Sequence, residues 1–159
     1  MPAIASIMAF QDINPVVITD DDKTGKEMKE AVIRIGDNFK EVFTIRDLNG
    51  NIIDNGTIED TLPKDFVEST INKVLNQSKI DEISLTEIST FCEQLSLHLN
   101  QKIAEEATTK KDKKQKIDDI LAKVKTKIAE YDEKSITEEK APKLYQLADA
   151  ILVKLGIKK

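Results

Sequence analysis

Residues 61–75 read TLPKDFVESTINKVL, and within them the spacing of the apolar residues changes from about two to about 3.6. Pro63 can begin a helix here, because the first residues of a helix need no backbone N–H donor. Five apolar residues would share one face of that helix: Phe66, Val67, Ile71, Val74 and Leu75. The change in spacing predicts an α+β protein, with a β-rich unit over residues 1–62 and a helical bundle over residues 63–159.

The segment before residue 61 is predicted to form strands and turns. Val16–Thr19 and Ala31–Ile35 are short runs rich in β-branched residues, and each is followed by a cluster of turn-forming residues. The clearest local pattern lies in Glu41–Ile58, where Asn49-Gly50 suits a type I′ turn because both residues tolerate positive φ. We therefore expect a β-hairpin there, followed by a second turn at Asn55-Gly56.

Three more helices are predicted after the first. Ser84 and Glu87 match a capping box, which would begin the second helix and let it continue past Ile103 toward Ala107. The third helix is predicted by apolar residues at alternating spacings of three and four: Ile117, Leu121, Val124, Ile128 and Tyr131.

The fourth helix has clear boundaries in the sequence. Ser135 with Glu138 gives another capping pattern, Pro142 lies near the first turn, and Gly156 suits the position just after the end. Short connections between helices with narrow apolar seams favour an antiparallel bundle of three to four helices. Alternatively, the second and third helices would fuse into one rod through residues 110–116.

Composition restricts the classes of function. Hydrophobic residues make up 40% of the chain and charged residues 33%, whereas aromatic residues make up 4% and Trp is absent. The core must therefore be aliphatic, and few rings are available to stack on bases, which weighs against binding of single-stranded nucleic acid.

The single Cys92 excludes an intramolecular disulfide. Ala3–Phe10 is too short to span a membrane and lacks the basic residues of a signal peptide, so we expect a soluble cytoplasmic protein or one within a virus-like particle assembled there.

The most reactive side chains lack the spacing of a catalytic or metal site. His98, the only histidine, lies six residues after Cys92 and about 240° around a helix, so the two cannot act together within that helix. The adjacent acids Asp20–Asp22 would point in different directions, which favours a solvated loop over a cation site. We expect a protein that is not an enzyme and that binds no metal or cofactor.

Two segments resemble ligand-binding loops of other proteins. Residues 47–51 place Asp and Asn at the first ligand positions of an EF-hand calcium loop, but Ile52 and Ile58 replace the required glycine and the final carboxylate. Thr24–Glu27 contains the Gly-Lys pair of a phosphate loop, but Glu27 stands where a Ser or Thr would bind magnesium. A hairpin turn and a surface turn are the favoured interpretations.

Charge is distributed unevenly along the chain. Residues 1–62 carry 12 acidic and 6 basic groups, a net charge of −6, whereas residues 110–159 carry 9 acidic and 14 basic groups, a net charge of +5. Because Arg and interleaved aromatic residues are absent from the basic Lys110–Lys127 surface, the sequence favours a solubilising role over nucleic-acid binding. The residues that would bind phosphate or an acidic partner are five lysines within seven positions: Lys110, Lys111, Lys113, Lys114 and Lys116.

The N-terminal arm, Pro2–Phe10, has no charged side chain and must be covered. It would form an edge strand or a short helix on the core of its own chain, or it would dock on another subunit. In the second interpretation, the partner-binding residues are four large apolar ones: Ile4, Ile7, Met8 and Phe10.

Without a catalytic motif, the sequence predicts a structural or assembly protein that makes protein–protein contacts or self-associates. A component or assembly factor of a phage-like particle would fit this profile. The alternative is a small regulatory or nucleic-acid-associated binding protein that uses the Lys110–Lys127 surface. No membrane partner is expected.

Overall fold

The computed structural model describes residues 16–35, 41–103, 109–130 and 137–157. These residues form six α-helices, one short 3-10 helix (Ile58–Thr61) and a two-stranded parallel sheet. Contacts divide the chain into two compact units, one made of Met1–Thr61 with Ala141–Lys159 and the other of Leu62–Lys140. The α+β class predicted from the sequence is confirmed.

The first unit is built on a strand, a helix and a second strand. Strand β1 (Val17–Thr19) pairs in parallel with β2 (Val42–Thr44), and helix α1 (Lys23–Ile33) lies between them in the chain. Parallel strands require such a crossover connection. Helix α1 contacts both strands and buries Val32 beside Val42. The first predicted strand is therefore confirmed.

The second predicted strand, Ala31–Ile35, is wrong because most of it belongs to α1. The Asp22 carboxylate begins this helix by accepting a hydrogen bond from the backbone N–H of Gly25 at 2.7 Å. The apolar residues of Ala31–Ile35 belong to one side of a helix. Residues at spacings of four and three pack in a small core with the two strands: Met28, Val32 and Ile35.

The β-hairpin predicted over Glu41–Ile58 is also wrong. The Thr44 hydroxyl accepts a hydrogen bond from the Asp47 N–H at 3.2 Å, and the Asp47 carboxylate accepts one from the Thr44 N–H at 2.7 Å. This capping box begins a short helix, α2 (Ile45–Leu48), directly after β2. Asn49 has a φ of −138°, whereas a type I′ turn requires a positive φ. The local cap therefore replaces the predicted hairpin.

Asp47 makes this strand-to-helix junction sensitive to pH. The Lys29 ammonium donates a hydrogen bond to Asp47 Oδ2 at 2.6 Å and, together with the Thr44 N–H, holds the pKa of that carboxyl below its ordinary value of 3.8. Because the pKa is lower in the folded than in the unfolded state, the stability contributed by the carboxylate is present above the ordinary value. It is lost as the pH falls through the folded-state value.

We expect Asp47→Asn to lower the free energy of unfolding by about 1 kcal/mol at neutral pH, because a charge-assisted hydrogen bond becomes a neutral one. In strong acid the loss should vanish, because the wild-type carboxyl is then also uncharged. Urea unfolding at both pH values measures the difference. The exposed Glu138 provides a control as Glu138→Gln. An equal loss for Asp47→Asn at both pH values would contradict the role of the charge.

The last helix, α6 (Pro142–Lys154), packs within the first unit. Its Leu147 is 1% exposed and lies in a cluster with Ile18 of β1, Ile45 of α2 and Ile52 of the turn after α2. The sequence-based division at residue 62 grouped this helix with the other helices instead. An apolar periodicity shows that a helix face is covered, but it does not show which element covers it.

The second unit has a core made by α3 (Lys64–Gln77), α4 (Phe91–Lys102) and α5 (Lys110–Ala129). Helix α5 packs against both of the others. The helix predicted after Pro63 is confirmed as α3, and the core is mainly aliphatic, as composition predicts, with Phe91 as a buried aromatic residue. Its fully covered side chains include five with 0% exposure: Ile71, Leu75, Leu95, Leu99 and Val124.

Helix α4 begins later than predicted, and the predicted capping box at Ser84–Glu87 is wrong. The box forms instead at Thr90, whose hydroxyl accepts a hydrogen bond from the Glu93 N–H at 3.2 Å. The preceding segment is held in a non-helical conformation by Asn72 of α3, whose side chain bonds both the N–H and the C=O of Ile83 at 2.9 Å. These bonds satisfy backbone groups without a helix.

The lysine-rich residues 110–116 form the first turns of α5 and do not fuse it to α4. Helix α4 ends at Lys102, and Thr109 begins α5 by accepting a hydrogen bond from the Asp112 N–H at 3.1 Å. The second and third helices are therefore separate. The predicted extension of the second helix toward Ala107 lies outside the described residues.

The predicted boundaries of the last helix are confirmed in part. Pro142 lies in the first turn of α6, and Gly156 has a φ of 70° just after its end. The predicted turn at Asn55-Gly56 is also present, with a φ of 58° at Asn55. Ser135, part of the predicted cap, lies outside the described residues.

Candidate functional site

The three adjacent carboxylates at the start of α1 bind backbone groups of the protein itself. Asp20 accepts a hydrogen bond from the Ile58 N–H at 3.0 Å, and Asp21 accepts one from the Asn55 N–H at 3.1 Å. Asp22 caps α1. The carboxylates thus point in different directions, as predicted. In the described ranges, no group of three or more His, Cys, Asp or Glu residues is arranged to hold a metal ion.

Gly25 has a structural role that explains the glycine in the Thr24–Glu27 segment. A Cβ at this position would lie 2.1 Å from the backbone oxygen of Asp20. Glycine permits this close approach of the helix start to the end of β1. Lys26 pairs with the buried Asp21 at 3.1 Å. The segment is a junction between a strand and a helix, and its resemblance to a phosphate loop does not extend to its contacts.

The calcium-like residues 47–51 also serve the fold. Asp47 belongs to the capping box, and Asn49 Oδ1 accepts a hydrogen bond from the Asn51 N–H at 3.1 Å. Asn49 Nδ2 donates to Gln146 Oε1 of α6 at 3.3 Å, and Asn49 is 8% exposed. These side chains therefore fix the turn after α2 and tie it to α6.

Cys92 and His98 have separate surroundings, as their spacing predicts. Cys92 packs partly buried against the core of the second unit. His98 Nε2 lies 2.8 Å from the carbonyl oxygen of Asp81, to which it donates a hydrogen bond. Lys102 also donates to the Asp81 carboxylate and holds the pKa of that carboxyl below its ordinary value. Both contacts secure the segment before α4 to α4 itself.

The predicted basic residues form part of a groove between α4 and α5 with a volume of about 400 Å³. Three of the five predicted lysines line it, whereas Lys111 and Lys116 lie on α5 outside the lining. The α4 side of the groove is polar, and the α5 side combines lysines with apolar residues and one carboxylate. The lining consists of Ser96, Asn100, Lys110, Lys113, Lys114, Ile117, Asp118 and Leu121.

The lysines of this groove differ in their contacts. Lys113 Nζ donates a hydrogen bond to the backbone oxygen of Asn100 on α4 at 2.7 Å. The side chains of Lys110 and Lys114 make no ion pair or hydrogen bond with any other described residue. The groove therefore holds positive charge that the described part of the chain leaves unpaired.

A second candidate surface, absent from the sequence-based prediction, lies on α6. Leu147 and Ile151 face the core of the first unit. At roughly 100° per residue, Tyr145 and Leu152 lie about 100–160° away from these core residues. We define the outer face of α6 as the partly or largely exposed apolar residues that lie outside the core-facing stripe or at its edge: Tyr145, Ala148, Leu152, Val153 and Leu155, the last of which directly follows the helix and lies about 40° from Ile151. The sequence signal was available, since apolar residues surround most of this helix.

The remaining predicted partner-binding residues, Ile4, Ile7, Met8 and Phe10, lie outside the described residues. Within the described ranges, no helix is both long enough and apolar enough to cross a membrane. Comparisons with protein-family models, with curated proteins and with solved structures find no match. The candidate function therefore rests on the outer face of α6 and on the basic groove.

Proposed function

We propose that this chain is a non-enzymatic structural or assembly protein that makes protein–protein contacts through the outer face of α6. One observation carries the proposal. Val153, about 120–160° around α6 from the core residues Leu147 and Ile151, is 50% exposed, and Leu155, at the edge of the outer face just after the helix, is 48% exposed. A helix that is apolar on most sides is normally covered on most sides. Contact with another protein surface would remove these side chains from water.

The proposed occupant of this face is the N-terminal arm of a second copy of the chain. The arm has no charged side chain, so burying it against an apolar face carries no cost of desolvating a charge. A segment of 15 residues spans at most about 50 Å when fully extended, which sets the longest reach of the arm. The contacts would be made by the four predicted residues: Ile4, Ile7, Met8 and Phe10.

Such an arm-to-helix contact would determine the form of the assembly. If each arm binds α6 of the next copy, the contact is heterologous and produces a ring or a filament. If two copies exchange arms, it produces a dimer. In this proposal, the second unit is the antiparallel bundle expected from the sequence, and a component of a phage-like particle is one assembly that would use repeated contacts of this kind.

We expect the double variant Val153→Lys with Leu155→Lys to weaken self-association at least tenfold, measured by analytical ultracentrifugation. Covering two half-exposed side chains contributes roughly 2 kcal/mol, and each 1.4 kcal/mol corresponds to about a factor of ten. Lysine is chosen because a positive charge near the end of a helix is compatible with the helix dipole.

Ile33→Lys is the matched control, since Ile33 is 49% exposed and is the last residue of α1 in the same unit. We expect this variant to associate like the wild type. If the double variant also associated like the wild type, the outer face of α6 would not be the contact surface. A wild-type chain that remained monomeric at high concentration would contradict self-association altogether.

A further inference from the structure

We propose that the groove between α4 and α5 binds an acidic, amphipathic segment of another protein. This surface is distinct from the outer face of α6, so the inference does not rest on the proposed function. The groove's volume of about 400 Å³ lies within the range of sites that hold small ligands or several side chains. It combines three lysines with two aliphatic residues: Lys110, Lys113, Lys114, Ile117 and Leu121.

The positive charge at the start of α5, which includes Lys110 of the groove, does not stabilise this helix. Lys110 and Lys111 occupy the first two positions of the helix, where positive charge opposes the helix dipole. Asp118 is the one carboxylate among the lining residues, so three lysines and one aspartate leave an excess of two positive charges. Neither Lys110 nor Lys114 is paired within the described residues. The net positive charge of the lining therefore suits a partner of opposite charge.

The apolar residues favour an acidic protein segment over nucleic acid. Leu121 is partly buried and partly accessible beside the lysines, whereas Ile117 is 8% exposed and belongs mainly to the core of the second unit. Phosphate groups would contact the lysines but would gain nothing from aliphatic side chains. Recognition of bases uses aromatic rings or Arg, and the lining contains neither. An amphipathic segment would place carboxylates on the lysines and an apolar side chain on Leu121.

Fluorescence anisotropy with three labelled probes tests the proposal on the full chain. The first probe is a synthetic peptide with Leu at helical spacing and Glu elsewhere. The second has Ser in place of each Leu, and the third is a single-stranded DNA with the same number of negative charges. We expect the Leu-Glu peptide to bind at least tenfold more tightly than the other two. Equal binding of the Ser-Glu peptide, or tighter binding of the DNA, would overturn the proposal.

Two triple variants then locate the site on α5. Lys110→Gln with Lys113→Gln and Lys114→Gln is expected to weaken binding of the Leu-Glu peptide about tenfold. The matched triple replaces three lysines of the same helix outside the groove, Lys123, Lys125 and Lys127, with Gln and is expected to change binding less than twofold. Equal losses in both variants would indicate a general charge effect and would overturn the assignment to the groove. The Val153→Lys with Leu155→Lys variant should bind the peptide like the wild type, which separates this test from that of the proposed function.

Discussion

Gly25→Ala is expected to lower the free energy of unfolding by about 3 kcal/mol or more, because it overfills a junction between backbone segments. The added Cβ would lie 2.1 Å from the oxygen and 2.7 Å from the carbonyl carbon of Asp20. Both atoms belong to the backbone, so a side-chain rotation cannot relieve the overlap. Asp20 is also held by its hydrogen bond to the Ile58 N–H. The start of α1 or the end of β1 would have to move.

Gly50→Ala is the matched control for this substitution. No heavy atom lies within 4 Å of the position where its Cβ would be, and Gly50 does not have a positive φ. We expect its stability to equal or slightly exceed that of the wild type, because Ala restricts the unfolded chain. Urea unfolding followed by circular dichroism measures both variants. Equal stability of Gly25→Ala and the wild type would contradict the close contact between Gly25 and Asp20.

Leu95→Ala is expected to lower the free energy of unfolding by about 2–5 kcal/mol, the range for removing a fully buried leucine side chain. Leu95 is 0% exposed and belongs to the core shared by α3, α4 and α5. The loss combines the transfer of the apolar side chain with the cavity that its removal leaves. Urea unfolding measures this loss in the same way.

Leu97→Ala tests whether burial causes the effect of Leu95→Ala. Leu97 lies two residues further along the same helix and is 63% exposed. The two substitutions make the same change in helix propensity, so the difference between them reports packing. We expect Leu97→Ala to change stability by less than about 0.5 kcal/mol. Comparable losses for both variants would contradict the orientation of α4.

The long helices were predictable because their apolar residues repeat over several turns. In α5, Ile117, Val124 and Ile128 are all buried, as their spacing of seven and four predicts. The start of α4 was less predictable, because Ser84–Glu87 and Thr90–Glu93 both match a local capping box. The choice between them depends on contacts between residues distant in the chain, which local patterns do not contain.

The strands show the same limit in a different way. Asn49-Gly50 is compatible with a hairpin, but the hairpin competes with the cap that Thr44 and Asp47 form. The strand that pairs with β2 is β1, which is separated from it in the chain by α1. Parallel pairing across a helix leaves no signal in either strand alone, so the sequence favoured the local alternative.

The candidate surfaces were predictable to different degrees. The lysine cluster was visible in the sequence, but its groove was not, because the groove also needs Ser96 and Asn100 of α4. The outer face of α6 was predictable in principle. Apolar residues such as Tyr145 and Leu152 lie outside the face that contains Leu147. Burial of a single apolar stripe against the core does not explain why they are apolar.

We propose that copies of this chain associate through the N-terminal arm and the outer face of α6. Light scattering after size exclusion tests it most directly, with the full chain and with a chain lacking residues 1–12, each at two protein concentrations and at low and high salt. We predict that the mass of the full chain rises with concentration at both salt levels, because the contact is apolar, and that the shortened chain remains monomeric. A full chain that is monomeric under all these conditions, or a shortened chain that associates equally well, would contradict the claim.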